Sequence, residues 1–228
     1  MGRAVTDRRP KAVISWSSGK DSAFALSEVL REAELDVVGL LTTVTKTYGR
    51  VSMHGVRERL LELQAEASGL PLLRVEIPSP CPNEVYEQEM ARAIATMSAE
   101  GVTHLVFGDL FLQDIREYRE SHLAPTGITP VFPLWGRDTK QLAREMIEGG
   151  LGAIVVCLDP RKLSRSFAGR RFDAQFLDEL PPSVDPCGEN GEFHTFVTAG
   201  PMFSRPIPVT VGSTVERDGY VFTDLLPG

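Results

Sequence analysis

The sequence predicts an α/β fold in which a doubly wound parallel sheet is followed by a smaller C-terminal α+β lobe. Between about residues 11 and 158, short β-branched runs alternate with longer stretches of helical periodicity, which is the pattern of repeated βα units. From residue 159 the pattern changes to a basic stretch, a short helix and connections rich in Pro and Gly. A chain of 228 residues is long enough to build both parts.

Six apolar runs bounded by Gly, Pro or polar residues are the expected strands of the parallel sheet. They are residues 12–16, 37–43, 72–77, 104–107, 130–132 and 153–158. Helices are expected between them, including residues 21–34 and 54–68. The later lobe is expected to have a helix at 174–180, strands at 193–198 and 208–222, and a hairpin turn at 217–220. The predicted organisation is a tail at 1–10, an α/β domain at 11–158 and a second lobe at 159–228.

Composition and charge disfavour several classes of protein. The longest apolar run, residues 153–158, is far below the roughly 18 residues of a membrane span. The net charge of −7 disfavours binding that depends on neutralising many nucleic-acid phosphates. The three cysteines are scattered and signal neither a disulfide framework nor a zinc ribbon. Because residues 1–10 also lack the apolar segment of a signal peptide, a reducing cytoplasm is the expected location.

A serine-rich loop follows the first predicted strand directly and opens a helix. Its residues are Ser17, Ser18, Gly19, Lys20, Asp21 and Ser22. Backbone N–H groups at the start of a helix attract anions, so the loop is predicted to cradle phosphate, with the hydroxyls as donors and Lys20 as a solvent-facing point charge. Asp21 is expected either to cap the helix or to face a magnesium ion. The alternative is a capped helix whose loop binds nothing.

A second group of polar residues follows the predicted strand at 104–107. Gly108 and Asp109 lie at its carboxyl end, the side on which open α/β sheets bind ligands. Beyond them, Arg116 and Arg119 are three residues apart and Arg116 and Glu120 are four apart, so all three share a helix face. The arginines are expected either to clamp a phosphate or carboxylate, or to form a solvated helix face.

A third group lies in the later lobe, between two turn glycines. Its polar members are Glu189, Asn190, Glu192 and His194. Such a loop is suited to a polar site, although a glycine-rich turn with incidental polarity is the alternative. Because it lies outside the βα units, we expect it to serve an acceptor and not the nucleotide. Cys187 and His194 lack the partners that would complete a tetrahedral zinc site.

The motifs together carry a family resemblance. The loop lacks both G-x-x-x-x-G-K-[ST] and G-x-G-x-x-G. It resembles the S-G-G-x-D-S loop of the PP-loop ATP pyrophosphatases, with Ser18 in place of the middle glycine. With residues 107–120 and the string Gly-Glu-Asn-Gly-Glu-Phe-His-Thr at 188–195, the chain looks like the diphthine–ammonia ligase family over nearly its whole length. That family also includes adenine nucleotide α-hydrolase-like proteins.

This resemblance implies a HUP-type nucleotide domain at 11–158 and a substrate-binding lobe at 159–228. It implies that ATP, with Mg²⁺, adenylates the carboxylate of diphthine on elongation factor 2, and that ammonium supplies the nitrogen. The implied ATP-binding residues are Ser17, Ser18, Gly19, Lys20, Asp21, Ser22 and Gly108. The implied catalytic residues are Lys20, Asp109, Glu192 and His194. The implied substrate-binding residues are Arg116, Arg119, Glu189, Asn190, Glu192 and His194.

Two other functions stay open on the sequence alone. A PP-loop tRNA-modifying enzyme would carry the same loop, and Arg161, Arg165, Arg170 and Arg171 form the one stretch suited to RNA or an acidic partner. From a different class, the chain could be an adenine-nucleotide sensor without turnover. The sequence does not decide the oligomeric state, including whether a homo-oligomer forms.

Overall fold

A computed structural model describes residues 9–45, 50–51 and 55–228 of the chain. The strands are β1 (Lys11–Ser15), β2 (Asp36–Thr45), β3 (Arg50–Val51), β4 (Leu72–Ile77), β5 (Val102–Val106), β6 (Thr129–Val131), β7 (Gly152–Leu158), β8 (Phe193–Ala199), β9 (Val209–Arg217) and β10 (Tyr220–Pro227). The helices are α1 (Lys20–Glu32), α2 (Glu58–Ser68), α3 (Asn83–Ala99), α4 (Gln113–Leu123), α5 (Thr139–Glu148) and α6 (Ala174–Glu179). The predicted helix start at His54 and residues 1–8 of the predicted tail lie outside the described residues.

The first sheet is parallel and doubly wound, as predicted. Its parallel strands lie in the order β4-β2-β1-β5-β6, and β3 pairs antiparallel with the last two residues of β2. Buried residues of α1, α2 and α5 join the core on one face, and those of α3 and α4 join the core on the other. The chain reverses its direction of winding between β1 and β5. That switch point is where open α/β sheets form a ligand crevice.

The second sheet is antiparallel and has the order β8-β7-β10-β9. The prediction that residues 153–158 belong to the parallel sheet is therefore wrong, because Leu158 of β7 pairs with Phe193 of β8 and Val221 of β10. Six of the seven residues of β7 are buried. Such a run is typical of any strand covered on both faces, so the sequence pattern cannot distinguish a central antiparallel strand from a parallel one. The domain boundary at 158 stays a prediction.

The hairpin and the short helix of the later lobe are confirmed. Arg217 pairs with Tyr220, and Asp218 and Gly219 between them have φ values of 53° and 80°, as a two-residue hairpin turn requires. Helix α6 begins after Asp173, whose carboxylate accepts a hydrogen bond from Phe176 N at 2.9 Å. Among the residues described, no helix combines the length and the apolar character needed to cross a bilayer.

Candidate active site

The serine-rich loop lies at the switch point, between β1 and α1. Trp16 N donates to Leu41 O of β2 at 2.7 Å, which fixes the start of the loop against the neighbouring strand. The Ser22 hydroxyl accepts from Ser17 N at 3.3 Å and donates to Gly19 O at 3.1 Å. Gly19 N in turn donates to Ser17 Oγ at 3.3 Å. The loop is thus held in an open turn by its own hydroxyls.

Ser18, where the sequence departs from the related loops, has a left-handed backbone with φ of 70°. For a residue other than glycine this conformation costs roughly 1–2 kcal/mol. The Ser18 side chain is fully buried, and its hydroxyl has no hydrogen-bond partner in the described part of the chain. The backbone carbonyl, by contrast, accepts two hydrogen bonds, from Val197 N at 3.0 Å and from Gln64 Nε2 at 3.1 Å.

Gln64 of α2 connects the loop to both sheets, and sequence reasoning missed it. Its Nε2 donates to Ser18 O and, at 2.8 Å, to Val197 O of β8, while its Oε1 accepts from Trp16 Nε1 at 2.9 Å. The side chain is fully buried among apolar residues. A single polar residue on the buried face of an amphipathic helix was the available signal, since such a group must find partners inside the fold.

Lys20 is buried, not solvent-facing as predicted. Its side chain is 3% exposed, and Nζ contacts both carboxylate oxygens of Asp21 at 2.8 and 2.9 Å. It also lies over the rings of Phe172 and Phe193, with Nζ 5.9 and 5.4 Å from the centroids. Burial by itself lowers the pKa of Lys20, but nearby acidic groups, foremost the Asp21 carboxylate and then Cys187 and Glu189, together offset this and raise the pKa above its ordinary value.

Gly108 packs directly on the first turn of α1. A Cβ atom at this position would lie 2.6 Å from the carbonyl carbon of Asp21 and 2.8 Å from Ser22 N. Because both are backbone atoms, a larger residue would force β5 and α1 apart. The structure therefore brings Gly108 against the serine-rich loop, and its role in ATP binding stays a prediction.

The two predicted arginines separate. Arg119 pairs with Asp109 through Nε at 2.5 Å and Nη2 at 3.2 Å, and its guanidinium lies 4.3 Å from the ring centroid of Phe107. Asp109 therefore holds an arginine. Arg116 pairs with Glu120 at 2.7 Å and lies over the rings of the 132–135 segment. The described lining of the cleft next to the loop includes Arg119 but not Arg116.

This cleft has a volume of about 600 Å³ and opens at the carboxyl ends of β1, β2, β4 and β5. Its lining residues are Ser15, Trp16, Ser17, Leu41, Thr42, Thr43, Ile77, Cys81, Tyr86, Met90, Phe107, Arg119 and His194. Burial lowers the pKa of His194 to about 4, so the imidazole is neutral at pH 7. The cleft is large enough for a nucleotide or a small acceptor.

The polar loop of the later lobe lies against the serine-rich loop. Lys20 N donates to Thr195 Oγ1 at 3.1 Å, and Glu189 Oε1 accepts from Leu110 N, just beyond β5, at 2.8 Å. Burial raises the pKa of Glu189 to about 7. Residues 188–195 thus lie next to the serine-rich loop although they belong to a different sheet. That they serve an acceptor and not the nucleotide stays a prediction.

Glu192 and Asn190 stabilise the turn in which they lie. The buried Glu192 accepts from Asp185 N at 3.1 Å and from Asn190 Nδ2 at 3.2 Å, both through Oε1. The other oxygen, Oε2, is buried and finds no partner among the described residues. Neither side chain is part of the described cleft lining, whereas His194 is. A catalytic role for Glu192 and a substrate-binding role for Glu192 and Asn190 stay predictions.

The described residues do not build a metal site. No group of three His, Cys, Asp or Glu side chains within them is arranged to hold a metal ion. Both oxygens of Asp21, the predicted magnesium ligand, accept from Lys20. This geometry favours an ion pair over magnesium ligation.

Fold and site together define an α/β protein whose serine-rich loop opens a helix at the switch point and is hydrogen-bonded to a second sheet. Residues 10–128 match the diphthamide synthase N-terminal domain, and residues 138–222 match the diphthamide synthase C-terminal domain. The chain belongs to the diphthamide synthase family, which confirms the resemblance found from the motifs.

Similar proteins named diphthine–ammonia ligase occur in several organisms. The protein of Danio rerio is 30% identical over 90% of this chain and 89% of its own length. That of Homo sapiens is 27% identical over 90% of this chain and 85% of its own length. That of Schizosaccharomyces pombe is 25% identical over 88% of this chain, which corresponds to 36% of the longer yeast protein.

Replacing Gln64 by methionine should destabilise the protein although side-chain volume changes little. The substitution leaves the Trp16 indole N–H without its acceptor and removes a donor from two carbonyls. We expect a loss of about 2–4 kcal/mol in the free energy of unfolding, measured by urea denaturation. The control Gln175→Met, at an exposed position of α6, should stay within about 0.5 kcal/mol of wild type. Equal effects of both variants would show that the Gln64 contacts contribute nothing.

Glu189→Gln should become progressively more stable than wild type between about pH 4.5 and pH 7. Below this range the Glu189 carboxyl is protonated in both the folded and unfolded chain. As pH rises, the unfolded chain loses the proton first, which favours unfolding of the wild type until the folded pKa of about 7 is passed. Glutamine can still accept from Leu110 N. Urea denaturation at pH 4.5 and pH 8 measures the stability difference between Glu189→Gln and wild type, with the exposed Glu117→Gln as control. A stability difference that does not change with pH contradicts the prediction.

Proposed function

We propose that this chain is an ATP-dependent ligase that adenylates a carboxylate and amidates it with ammonia. The proposed acceptor is a diphthine carboxylate on a translation elongation factor, after the names of the relatives. The acceptor oxygen attacks the α-phosphorus of ATP and pyrophosphate leaves. Ammonia then attacks the acyl carbon, AMP leaves, and the proton lost from nitrogen passes to a protein base or to water.

The observation that carries this proposal is the contact between the two segments on which the family resemblance rests, the serine-rich loop and residues 188–195. The pyrophosphate-type loop begins α1 at the switch point, and Thr195 and Val197 of β8 bond to its backbone. A loop completed by the later lobe supports the proposal that the ATP phosphates and the acceptor bind side by side. Proximity of this kind is the main contribution that a protein makes to adenylation.

Several side chains have the environments that these steps require. Two of the three N–H donors of the Lys20 ammonium face Asp21. The third N–H is the proposed donor to a phosphate oxygen. Arg119, fixed by Asp109 and Phe107, lines the cleft and suits an anionic acceptor or phosphate. Glu189, with a pKa of about 7, is the proposed acceptor of the ammonium proton.

The tRNA-modifying alternative is disfavoured by the basic stretch of the later lobe. Arg161 pairs with Asp159, Arg165 with Glu216 and Arg170 with Glu179. Three of the four arginines of this stretch, all but Arg171, thus already face a carboxylate of the chain, which reduces the charge offered to a phosphate backbone. The three cysteines are free thiols, which fits the proposed cytoplasmic location. A nucleotide sensor without turnover is the other outcome of the test that follows.

ATP cleavage should yield AMP and pyrophosphate, with no accumulation of ADP. An aspartate follows Lys20, so the Lys-Ser/Thr pair that acts on the β- and γ-phosphates is missing. Chromatography of radiolabelled ATP, incubated with diphthine-bearing elongation factor and ammonium chloride, measures the products. ADP and inorganic phosphate as primary products rule out the ligase, and bound ATP without cleavage in the complete mixture indicates the sensor.

Lys20 should contribute separately to stability and to turnover. Lys20→Met leaves the partly buried Asp21 carboxylate without its partner, so we expect a loss of about 1–3 kcal/mol in the free energy of unfolding. Adding Asp21→Asn removes that charge and should recover most of the loss. The double variant should still release pyrophosphate at least about tenfold more slowly than wild type, because charge at the phosphates is missing. Wild-type turnover in the stable double variant would make Lys20 purely structural.

A further inference from the structure

A second, smaller cavity lies between helices α3 and α4, next to the cleft. Its volume of about 110 Å³ is below the roughly 300 Å³ of a complete ligand site, so it suits one group of a larger ligand. Four of its lining residues also line the cleft, so the two cavities share a wall. We call this cavity the α3–α4 groove; its lining includes the shared Tyr86, Met90, Phe107 and Arg119, together with Glu87 and Tyr118.

The groove is largely apolar and has an exposed aromatic ring beside it. Its lining residues Ile94, Leu105 and Leu123 belong to the buried core on this side of the sheet. Tyr118 is 40% exposed. Its ring packs on that of His122 with the centroids 3.9 Å apart, and His122 Nδ1 contacts Tyr118 O at 2.8 Å. The exposed ring is therefore held in place and is accessible to a ligand.

Glu87 gives the groove a negative charge. Its Oε1 lies 3.8 Å from Nε2 of His122, which is beyond hydrogen-bond distance. The positive charge of Arg119 is already engaged by Asp109 through two hydrogen bonds. Burial raises the pKa of Tyr118, and the nearby Glu87 carboxylate adds to this rise. Because Glu87 disfavours negative charge at Tyr118, it favours a positive charge at the same place.

This combination of groups fits a methylated ammonium cation. Aromatic rings around a small cavity are typical of sites for quaternary ammonium groups, whose methyl surface is apolar and whose charge is attracted by π faces. A primary ammonium would lose its hydrogen bonds to water among these apolar walls. An alkyl group would fit the walls but would gain nothing from the Glu87 carboxylate.

We propose that the α3–α4 groove binds a methylated ammonium group of the acceptor, with Tyr86, Tyr118 and Glu87 as its contacts. This inference rests on the proposed function, in which the acceptor carboxylate lies in the cleft. Arg119 lines both cavities and suits that carboxylate. The cation and the carboxylate of the acceptor are then close neighbours, as they are in a betaine.

Titration with choline, and with its uncharged isostere 3,3-dimethyl-1-butanol, tests the groove without turnover. The methyl resonance of Met90 in methyl-labelled protein reports binding, and the buried Met146 of the other core is the internal control. Choline should shift the Met90 resonance and bind at least about fivefold more tightly than the isostere. Tyr118→Leu and Glu87→Gln should each weaken choline binding at least about threefold, whereas Tyr118→Phe keeps the ring and should restore it to within about twofold.

Steady-state kinetics with diphthine-bearing elongation factor, ATP and ammonium test whether the acceptor supplies the cation. Tyr118→Leu should raise the KM for the acceptor at least about threefold and leave the Kd for ATP, measured by calorimetry, unchanged. The melting temperature of each variant shows that it folds.

The possible failures of the two experiments are distinguishable. No shift of Met90 with choline, or equal affinity for the uncharged isostere, overturns this inference alone. An unchanged acceptor KM in a variant that has lost choline binding also overturns it, because the cation then does not come from the acceptor. Wild type that binds choline but cleaves no ATP in the complete mixture overturns the proposed function and the acceptor's part in this inference, and supports the groove as a cation site.

Discussion

The site depends on one buried amide, that of Gln64. With a single side chain it bonds to the indole before the serine-rich loop, to the carbonyl at the strained centre of that loop and to the carbonyl of Val197 in the second sheet. All three partners are buried or part of the backbone, so each would otherwise be left unsatisfied. The left-handed conformation of Ser18 persists because its carbonyl is held from two directions.

This constraint explains why the second lobe belongs to the site and is not an appendage. One continuous apolar core includes α1 and α2 of the first sheet and β7, β8 and β10 of the second. Lys20, deep in that core, is bounded by its own loop, by Thr195 and by the rings of Phe172 and Phe193. The Lys20 charge is thereby desolvated and fixed in position by groups of the later lobe, where it interacts with other charges more strongly than in water.

Much of this could be predicted from the sequence, because the relevant signals are local. The alternation of strand and helix periodicity predicted the doubly wound sheet, and the strand-loop-helix pattern predicted where the serine-rich loop lies. The contacts that complete the site could not be predicted in this way. Lys20 and Thr195 are 175 residues apart, and Gln64 belongs to no motif. The sequence also could not predict that β7 belongs to the antiparallel sheet. Because β7 is buried on both faces, it lacks the alternation of apolar and polar residues that would have identified an antiparallel strand.

The bonds between the serine-rich loop and β8 also bear on how the protein is made. During translation the serine-rich loop leaves the ribosome well before β8 does. Until β8 emerges, the strained turn at Ser18 lacks its support and the apolar surface that the second sheet later covers stays exposed. The final geometry near residue 18 is acquired only once the strand containing Val197 has emerged and docked. The supported geometry of the serine-rich loop is thus a property of the finished polypeptide, and a chain interrupted before β8 would lack it even with its first sheet complete.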